Sequence, residues 1–442
     1  MANASAALDH ADDPSIQDLL ALRPWLKYDV VDGLLMDGVP LAAIARQAGT
    51  PTWVTSAAVL RGRCRALADA LAATGLDAGI HYAVKANDGR AVLDLMRREG
   101  LGADVVSGGE LRKALAAGMP AADVVYSGVG KSAAELRLAL ASEVGQINVE
   151  SAEELAMIAA IASELGVTAR IALRVNPDVD AETNDKISTG RARDKFGIAY
   201  QDAVALYRHA ATLPHVQPVG LATHIGSQIT GLAPFRAAFD RLSTLIVALR
   251  TEGLRVAVMD CGGGLGIPYR NEPVPTPAGL AAVIKGAFHN LDVRVAVEPG
   301  RWLVGPTSVL LASVILVKQT PATRFIVLDA AMNDLARPAM YDAWHGIVPV
   351  SAADAARPVF PATVVGPVCE SSDTFARGRA LPPLGQDAVV AILDAGAYGR
   401  VMSSTYNARP LAAEAWVDGG HWCLTRERQT IEALWDGERL PT

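Results

Sequence analysis

The chain has 442 residues, of which 51% are hydrophobic, and a net charge of −7. That length is enough for two domains and a large core, and an acidic balance without a basic block argues against a nucleic-acid partner. Its four cysteines (Cys64, Cys261, Cys369 and Cys423) are scattered with no C-x-x-C pair, which argues against a disulfide framework or a zinc site and fits reduced thiols in the cytoplasm.

Residues 1–49 begin as an Ala- and Asp-rich tail, Met1 to Ser15, with neither a basic start nor an apolar run of the kind a secretory leader carries. Short strands or turns follow at Tyr28–Val31 and Leu34–Met36. Thr52–Thr55 reads as a strand, and Ala57–Ala73 as a helix with Leu60, Leu67 and Leu71 on one face. From residue 80 the chain alternates. Strand-like runs lie at Ile80–Lys85, Ala103–Val106, Val124–Ser127, Ile147–Val149, Ile171–Val175, Val219–His224, Val256–Asp260 and Val293–Val297. Helical segments fall between them, such as Arg90–Glu99, Ser132–Ser142, Ala152–Leu165 and Phe235–Glu252. Ser151 with Glu154 three residues on forms a capping-box pattern, and Gly100, Gly118, Gly145, Gly166 and Gly253 stand where helices stop. Eight such units predict an α/β fold, a TIM-like (β/α)8 barrel, with an open doubly wound sheet as the runner-up.

After Gly300 the rhythm changes. Val309–Val317, Phe325–Asp329, Val359–Val365, Ala388–Leu393 and Ala412–Val417 read as strands without regular helices, a β-rich second domain. The longest apolar stretch, Leu303–Val317, is broken by Gly305 and Pro306 and falls short of the ~20 residues that span a bilayer, so no membrane partner is expected. The predicted organisation is a segment 1–49 packing on the β domain, a barrel over 50–305 and a β domain over 306–442.

Barrel enzymes place their chemistry at the carboxyl ends of the strands, and the notable residues fall there. Lys85 ends the first predicted strand and reads as a solvated charge or as an amine that forms a Schiff base. His224 ends the sixth, as a core histidine or a flat ring able to stack on a cofactor. Gly262-Gly263-Gly264, followed by Leu265-Gly266, is an ordinary tight turn or a backbone cradle for phosphate. Glu298 pairs with Arg301 or holds a proton on a pyridine nitrogen. In the second domain, Cys369 lies in a Gly/Pro/Ser-rich loop beside Glu370 and Asp373. Arg337 and Tyr341 are surface residues or, with Arg301, a carboxylate anchor. Tyr406 by itself is ambiguous.

Together these motifs resemble the diaminopimelate decarboxylases, within the alanine-racemase-like (fold type III) pyridoxal-phosphate enzymes. The matching stretches are YAVKAN (82–87), NVES (148–151), HIGSQI (224–229), CGGGLGIPY (261–269), EPGR (298–301), DAAMNDLARPAMYDAWH (329–345), GPVCES (366–371) and GAYGRVMSSTYNARP (396–410). The resemblance implies pyridoxal 5'-phosphate as cofactor, carried by Lys85, with His224 stacked on its ring and Ser227 nearby. It implies that Gly263, Gly264, Gly300 and Arg301 hold the phosphate, that Tyr406 reaches the cofactor, and that Glu298 meets the pyridine nitrogen. Arg301, Arg337 and Tyr341 are implied at the distal end of the substrate, Glu370 at its amine and Cys369 as proton donor. It further implies a homodimer in which the cysteine loop enters the partner's site. The expected reaction is decarboxylation of meso-2,6-diaminopimelate to L-lysine; the alternatives are a decarboxylase of another basic or D-amino acid, a racemase, or a non-catalytic pyridoxal-phosphate binder. A racemase would pair the pyridine nitrogen with arginine, which Glu298 speaks against. Three positions depart from the family pattern: Glu182–Asp185 stands where a histidine is common, Ser372 where glycine is frequent, and Val129 where asparagine is frequent.

Overall fold

Eight short runs, most of them apolar and almost wholly buried, pair in parallel and close on themselves. They are β1 (Ala78–Ala83), β2 (Gly102–Val105), β3 (Val124–Tyr126), β4 (Gln146–Val149), β5 (Ala169–Asn176), β6 (Val216–Ala222), β7 (Val258–Asp260) and β8 (Arg294–Val297). Each pairs with the next in sequence, and β8 returns to β1 with Val297 opposite Ile80. The barrel is therefore closed, which removes the open-sheet alternative. The computed structural model describes residues 13–181, 183, 189–191 and 194–441. The departure around Asn184 lies outside the described residues, as do residues 1–12 of the tail.

Strands buried on both faces carry the continuous apolar runs by which the sequence reveals them. A ninth piece, Ile198–Ala199, pairs beside the end of β5, with Ile198 opposite Val175; two residues are too few to show a period. Three of the helices between strands open on serine caps, at Ser107, Ser132 and Ser151. Ser132 and Glu135 form the full reciprocal box. At Ser151 only half of the expected box forms: its hydroxyl accepts the Glu154 N–H, while the Glu154 carboxylate turns to the Glu150 N–H and to Lys131. Gly100, Gly118, Gly166 and Gly253 take positive φ at helix ends, but at the end of Ala133–Ala141 that conformation falls to Glu143, not to Gly145.

The chain divides into two compact units. The barrel unit comprises Arg61–Ile267 and Pro273–Leu303; the other gathers the residues up to Leu60, Pro268–Glu272 and the chain from Val304 on. The spine of this second unit is the strand Ser308–Gln319. The helical turns at Arg301–Val304 and Gly305–Thr307 precede it, so the expected strand character begins only at Ser308. Its first half pairs with Thr52–Ser56 on one edge and Val389–Ile392 on the other, and its second half with Arg324–Leu328. The strand Thr52–Ser56, which a boundary near residue 50 gives to the barrel, is thus hydrogen-bonded here, and it also pairs in parallel with Ala413–Asp418. All five of its residues are buried, a pattern that either environment would accept.

Among the described residues, four strands of this unit escape sequence reading, the two-residue Val39–Pro40 being the shortest. Ile347–Pro349 is too short, Thr374–Leu381 contains Gly378 and two arginines, and His421–Arg426 is a largely exposed edge. Leu34, Met36, Leu41 and Ile44 from the N-terminal segment are buried in one cluster with Val309, Leu311, Leu393 and Val417. Among the described residues no helix is long and apolar enough to cross a membrane.

Candidate active site

The ladder between β1 and β2 ends at Ala83 opposite Asp104. Beyond it the chain turns: the Asn87 N–H donates to the Val84 carbonyl, and Val84–Ala86 forms one 3-10 turn. Lys85 therefore sits in that turn, two residues past the strand where the sequence reading ended it. The turn is braced by the Tyr82 hydroxyl, which donates to the Asn87 carbonyl at 2.8 Å. Lys85 Nζ reaches the Oδ2 of Asp104 at 2.6 Å, and that carboxylate is fully buried in β2 with its Oδ1 unpartnered.

Next to this pair, Glu110 accepts the Val106 N–H at 2.8 Å. Burial pushes its carboxyl up to about 7, against the pull of that N–H and of Lys85. In the folded chain the proton is therefore held between the unfolded value and about 7. The cost of ionising is absent below the unfolded pKa and fully present above the folded one. Glu110→Gln is expected to raise stability by about 1–2 kcal/mol at pH 8, discounted for partial exposure, and to change little near pH 4. Thermal unfolding at the two pH values measures it; an equal shift at both would assign the effect to packing.

His224 lies two residues past the end of β6. Its Nδ1 accepts the Gly263 N–H at 3.1 Å, which leaves the ring neutral with its proton on Nε2. Burial, then the charges of Arg174 and Lys85, holds its pKa well below the ordinary histidine value. The glycine run follows β7. A Cβ on Gly263 would sit 2.1 Å from the Glu298 carbonyl oxygen, and Gly264 has φ +114 with a Cβ only 2.5 Å from the Gly226 oxygen. No other residue fits this approach of backbone to backbone. Past β8, Gly300 leads into Arg301, whose guanidinium donates to the Ser227 hydroxyl from Nη2 at 3.0 Å.

Glu298 is buried. Burial, then the charges of Asp104 and Asp260, pushes its pKa well above the usual carboxylate range. Asn148 donates to its Oε1 at 3.2 Å and Ser127 stands at 3.4 Å. Arg174 ion-pairs with Glu150 at 2.6 Å, and the buried Lys131 ammonium meets Glu154 at 2.7 Å. The structure thus brings Lys85, His224, Ser227, Gly263, Gly264, Glu298, Gly300 and Arg301 to the strand-end side of the barrel unit. Sequence reasoning missed Asp104, Ser127, Asn148, Arg174 and Asp260. A usable signal was present in three of them: Asp104, Asn148 and Asp260 interrupt or end apolar strand runs, where a polar group is costly unless it is satisfied.

The remaining candidates lie in the other unit. Cys369 occupies the turn between the strands Phe360–Val365 and Thr374–Leu381. Asp373, buried, secures this turn by accepting the N–H groups of Met332 at 2.7 Å and Val368 at 2.8 Å. The Cys369 N–H donates to Asn407 Oδ1 at 3.0 Å, and its thiol is exposed. Glu370 hydrogen-bonds with the Tyr406 hydroxyl, which raises the tyrosine pKa, and it accepts the Ser372 hydroxyl. Ser372, the departure from glycine, thereby ties down the loop, while Val129, the other departure, is a partly exposed side chain in the barrel unit. Cys369, Glu370 and Tyr406 are gathered together. Arg337 instead is buried against His345, with Nη1 2.7 Å from Nε2, and lies over the Tyr269 ring at 4.7 Å. Tyr341 closes the same short helix, Arg337–Tyr341.

Residues 58–305 match the family described as "Pyridoxal-dependent decarboxylase, pyridoxal binding domain". A protein named diaminopimelate decarboxylase from Zymomonas mobilis is 46% identical over 410 residues, covering 92% of this chain and 96% of that relative. The solved diaminopimelate decarboxylase of Helicobacter pylori, complexed with L-lysine, superposes with a TM-score of 0.86 at 36% identity, covering 89% of this chain and 98% of the other. That of M. jannaschii, also in complex with L-lysine, has a TM-score of 0.89 at 34% identity, covering 94% and 98%.

Proposed function

This chain belongs to the diaminopimelate decarboxylases, within the pyridoxal-dependent decarboxylases, and we propose that it removes the carboxylate at the D-configured centre of meso-2,6-diaminopimelate as CO2, leaving L-lysine. The observation that carries the reading is Glu298: a buried, hydrogen-bonded carboxyl that keeps a proton, in the unit that also presents the Lys85 amine. A carboxyl of this kind suits a pyridine nitrogen, and the glycine turn at Gly263 and Gly264, closed to any Cβ, suits a phosphate. The barrel residues therefore fit pyridoxal phosphate. When bound, that group supplies the electron sink that takes the pair left by the departing carboxylate.

The chain's own residues do the rest. Lys85 is the covalent anchor. His224, neutral and fixed by Gly263, offers a flat face to the ring, and Ser227 braces Arg301. Gly263, Gly264, Gly300 and Arg301 line the phosphate site. Glu298 holds a proton at the ring nitrogen. Arg301, Arg337 and Tyr341 take the distal carboxylate of the substrate, Glu370 takes its distal amine, and Tyr406 contacts the cofactor and Glu370. Cys369 delivers the proton to the carbon that loses CO2. A diamine-forming decarboxylase has no distal carboxylate for arginines to bind, and this favours diaminopimelate over ornithine. In this reading the protein is a cytoplasmic homodimer, and the turn bearing Cys369 and Glu370 completes the barrel site of the partner copy. The exposed position of that turn supports this.

The test is CO2 release by the purified protein with pyridoxal phosphate. Meso-diaminopimelate is expected to be used about 10²-fold or more faster than L-lysine, L-ornithine or L-arginine, because the others bring no distal carboxylate to a site built to bind one. Arg337→Leu is expected to raise KM for diaminopimelate by about 10²-fold, the loss of one buried charge-assisted contact. Comparable rates on ornithine would overturn the substrate reading.

A further inference from the structure

β4 carries two buried amides on one face, Gln146 and Asn148, two residues apart as strand alternation requires. Gln146 Nε2 donates to Asn148 Oδ1 at 2.8 Å. That contact sets which end of the Asn148 amide is turned away from Gln146. The Nδ2 end then meets Ser127 Oγ at 3.1 Å, Glu298 Oε1 at 3.2 Å and Asp260 Oδ2 at 3.3 Å. Two hydrogens serve three acceptors, so the amide is shared among groups from three other strand ends.

Glu298 and Asp260 also hydrogen-bond to each other. Burial, then the charges of Asp104 and Asp260, holds the Glu298 carboxyl well above the usual range, so Glu298 has the proton that such a hydrogen bond needs. Asp260 is further fixed by the Gly262 N–H on its other oxygen, at 3.0 Å. Asn148 supplies a neutral donor to both carboxyls at once. A lysine or arginine at that place would strip the proton from Glu298; an apolar residue would take the amide donor from Asp260 Oδ2 and leave Glu298 Oε1 with Ser127 alone at 3.4 Å.

We propose that Asn148, oriented by Gln146, is a positioning residue that holds Glu298, beside Asp260, directed at the ring nitrogen of the cofactor. This rests on the reading that Glu298 is the residue which meets that nitrogen. Asn148 touches neither substrate nor the reacting carbon in this scheme. It acts through the orientation of Glu298, and through it on how strongly the protein distinguishes a ring nitrogen from a ring carbon.

The experiment titrates the cofactor-free protein with pyridoxal phosphate and, separately, with its analogue in which carbon replaces the ring nitrogen, reading dissociation constants from cofactor absorbance. Wild type is expected to prefer the nitrogen form by about tenfold or more, the worth of a charge-assisted hydrogen bond. Asn148→Leu should bring that preference to within about threefold of unity while leaving affinity for the carbon analogue close to that of wild type. Equal weakening of both cofactors would show that Asn148 only packs the barrel and would overturn the proposal. Should Asn148→Leu not fold, Gln146→Met tests the same amide by removing its orienting donor; a reduced preference is expected, and an unchanged one overturns the inference. Glu298→Gln separates the two levels. A preference that survives Glu298→Gln refutes the parent reading of Glu298. A preference lost in Glu298→Gln but kept in Asn148→Leu refutes the role of Asn148 alone.

Discussion

Replacing Lys85 with alanine is expected to lower turnover by about 10³-fold or more, the scale on which a covalent, oriented catalytic group contributes. It should also remove the visible absorbance of the lysine-bound cofactor. The side chain is poised for that role: it leaves a 3-10 turn closed by Asn87 and Tyr82, and its amine lies 2.6 Å from a buried aspartate. The competing reading makes Lys85 a structural counter-ion for Asp104. In that case alanine would cost stability by leaving Asp104 unpaired but would spare the chemistry. Lys85→Arg separates the two, since arginine supplies the charge and cannot form the covalent bond. The expected result is a folded, inactive Lys85→Arg protein; substantial turnover in that variant would sink the assignment.

Cys369→Ala is expected to lower kcat by about 10²–10⁴-fold, the range for loss of a positioned proton donor, with cofactor binding at Lys85 unchanged. The thiol is exposed on a turn anchored by Asp373 and Asn407, so the substitution leaves the scaffold intact. The proposed sharing of sites between two copies adds a second outcome. When inactive Lys85→Ala and Cys369→Ala chains are mixed and allowed to reassort, half of the dimers are mixed, and each has one site with both natural residues. About a quarter of wild-type activity should return. No recovery, with mixed dimers demonstrated, would contradict a cysteine that serves the partner.

The barrel was legible because its strands are short, buried and apolar, and because turns and helices separate them at regular spacing. The glycine run at Gly262–Gly264 was legible as a close approach of backbone, where a Cβ would meet carbonyl oxygens, though not as a choice between a tight turn and a phosphate cradle. What did not show is what depends on distant partners. Asn148 and Glu298 are 150 positions apart, and no local period links them. Thr52–Ser56 gives no sign of which sheet it joins, since both of its faces are buried. Thr374–Leu381 hides as a strand because Gly378 and its arginines blur the alternation, and with it went the recognition that Cys369 sits on a hairpin turn. The first strand was carried two residues too far, to Lys85, because strand propensity continues through Val84 whereas the hydrogen-bond ladder stops at Ala83.

The most direct measurement is the conversion of meso-diaminopimelate by the purified protein in D2O with pyridoxal phosphate, followed by NMR and mass spectrometry of the product. The expected product is L-lysine in equal amount to CO2, with one deuterium on the carbon that lost its carboxylate and none at the retained α-carbon. Deuterium entering a product that keeps both carboxylates would show a racemase instead, and recovery of unlabelled diaminopimelate alone would contradict catalysis at this site.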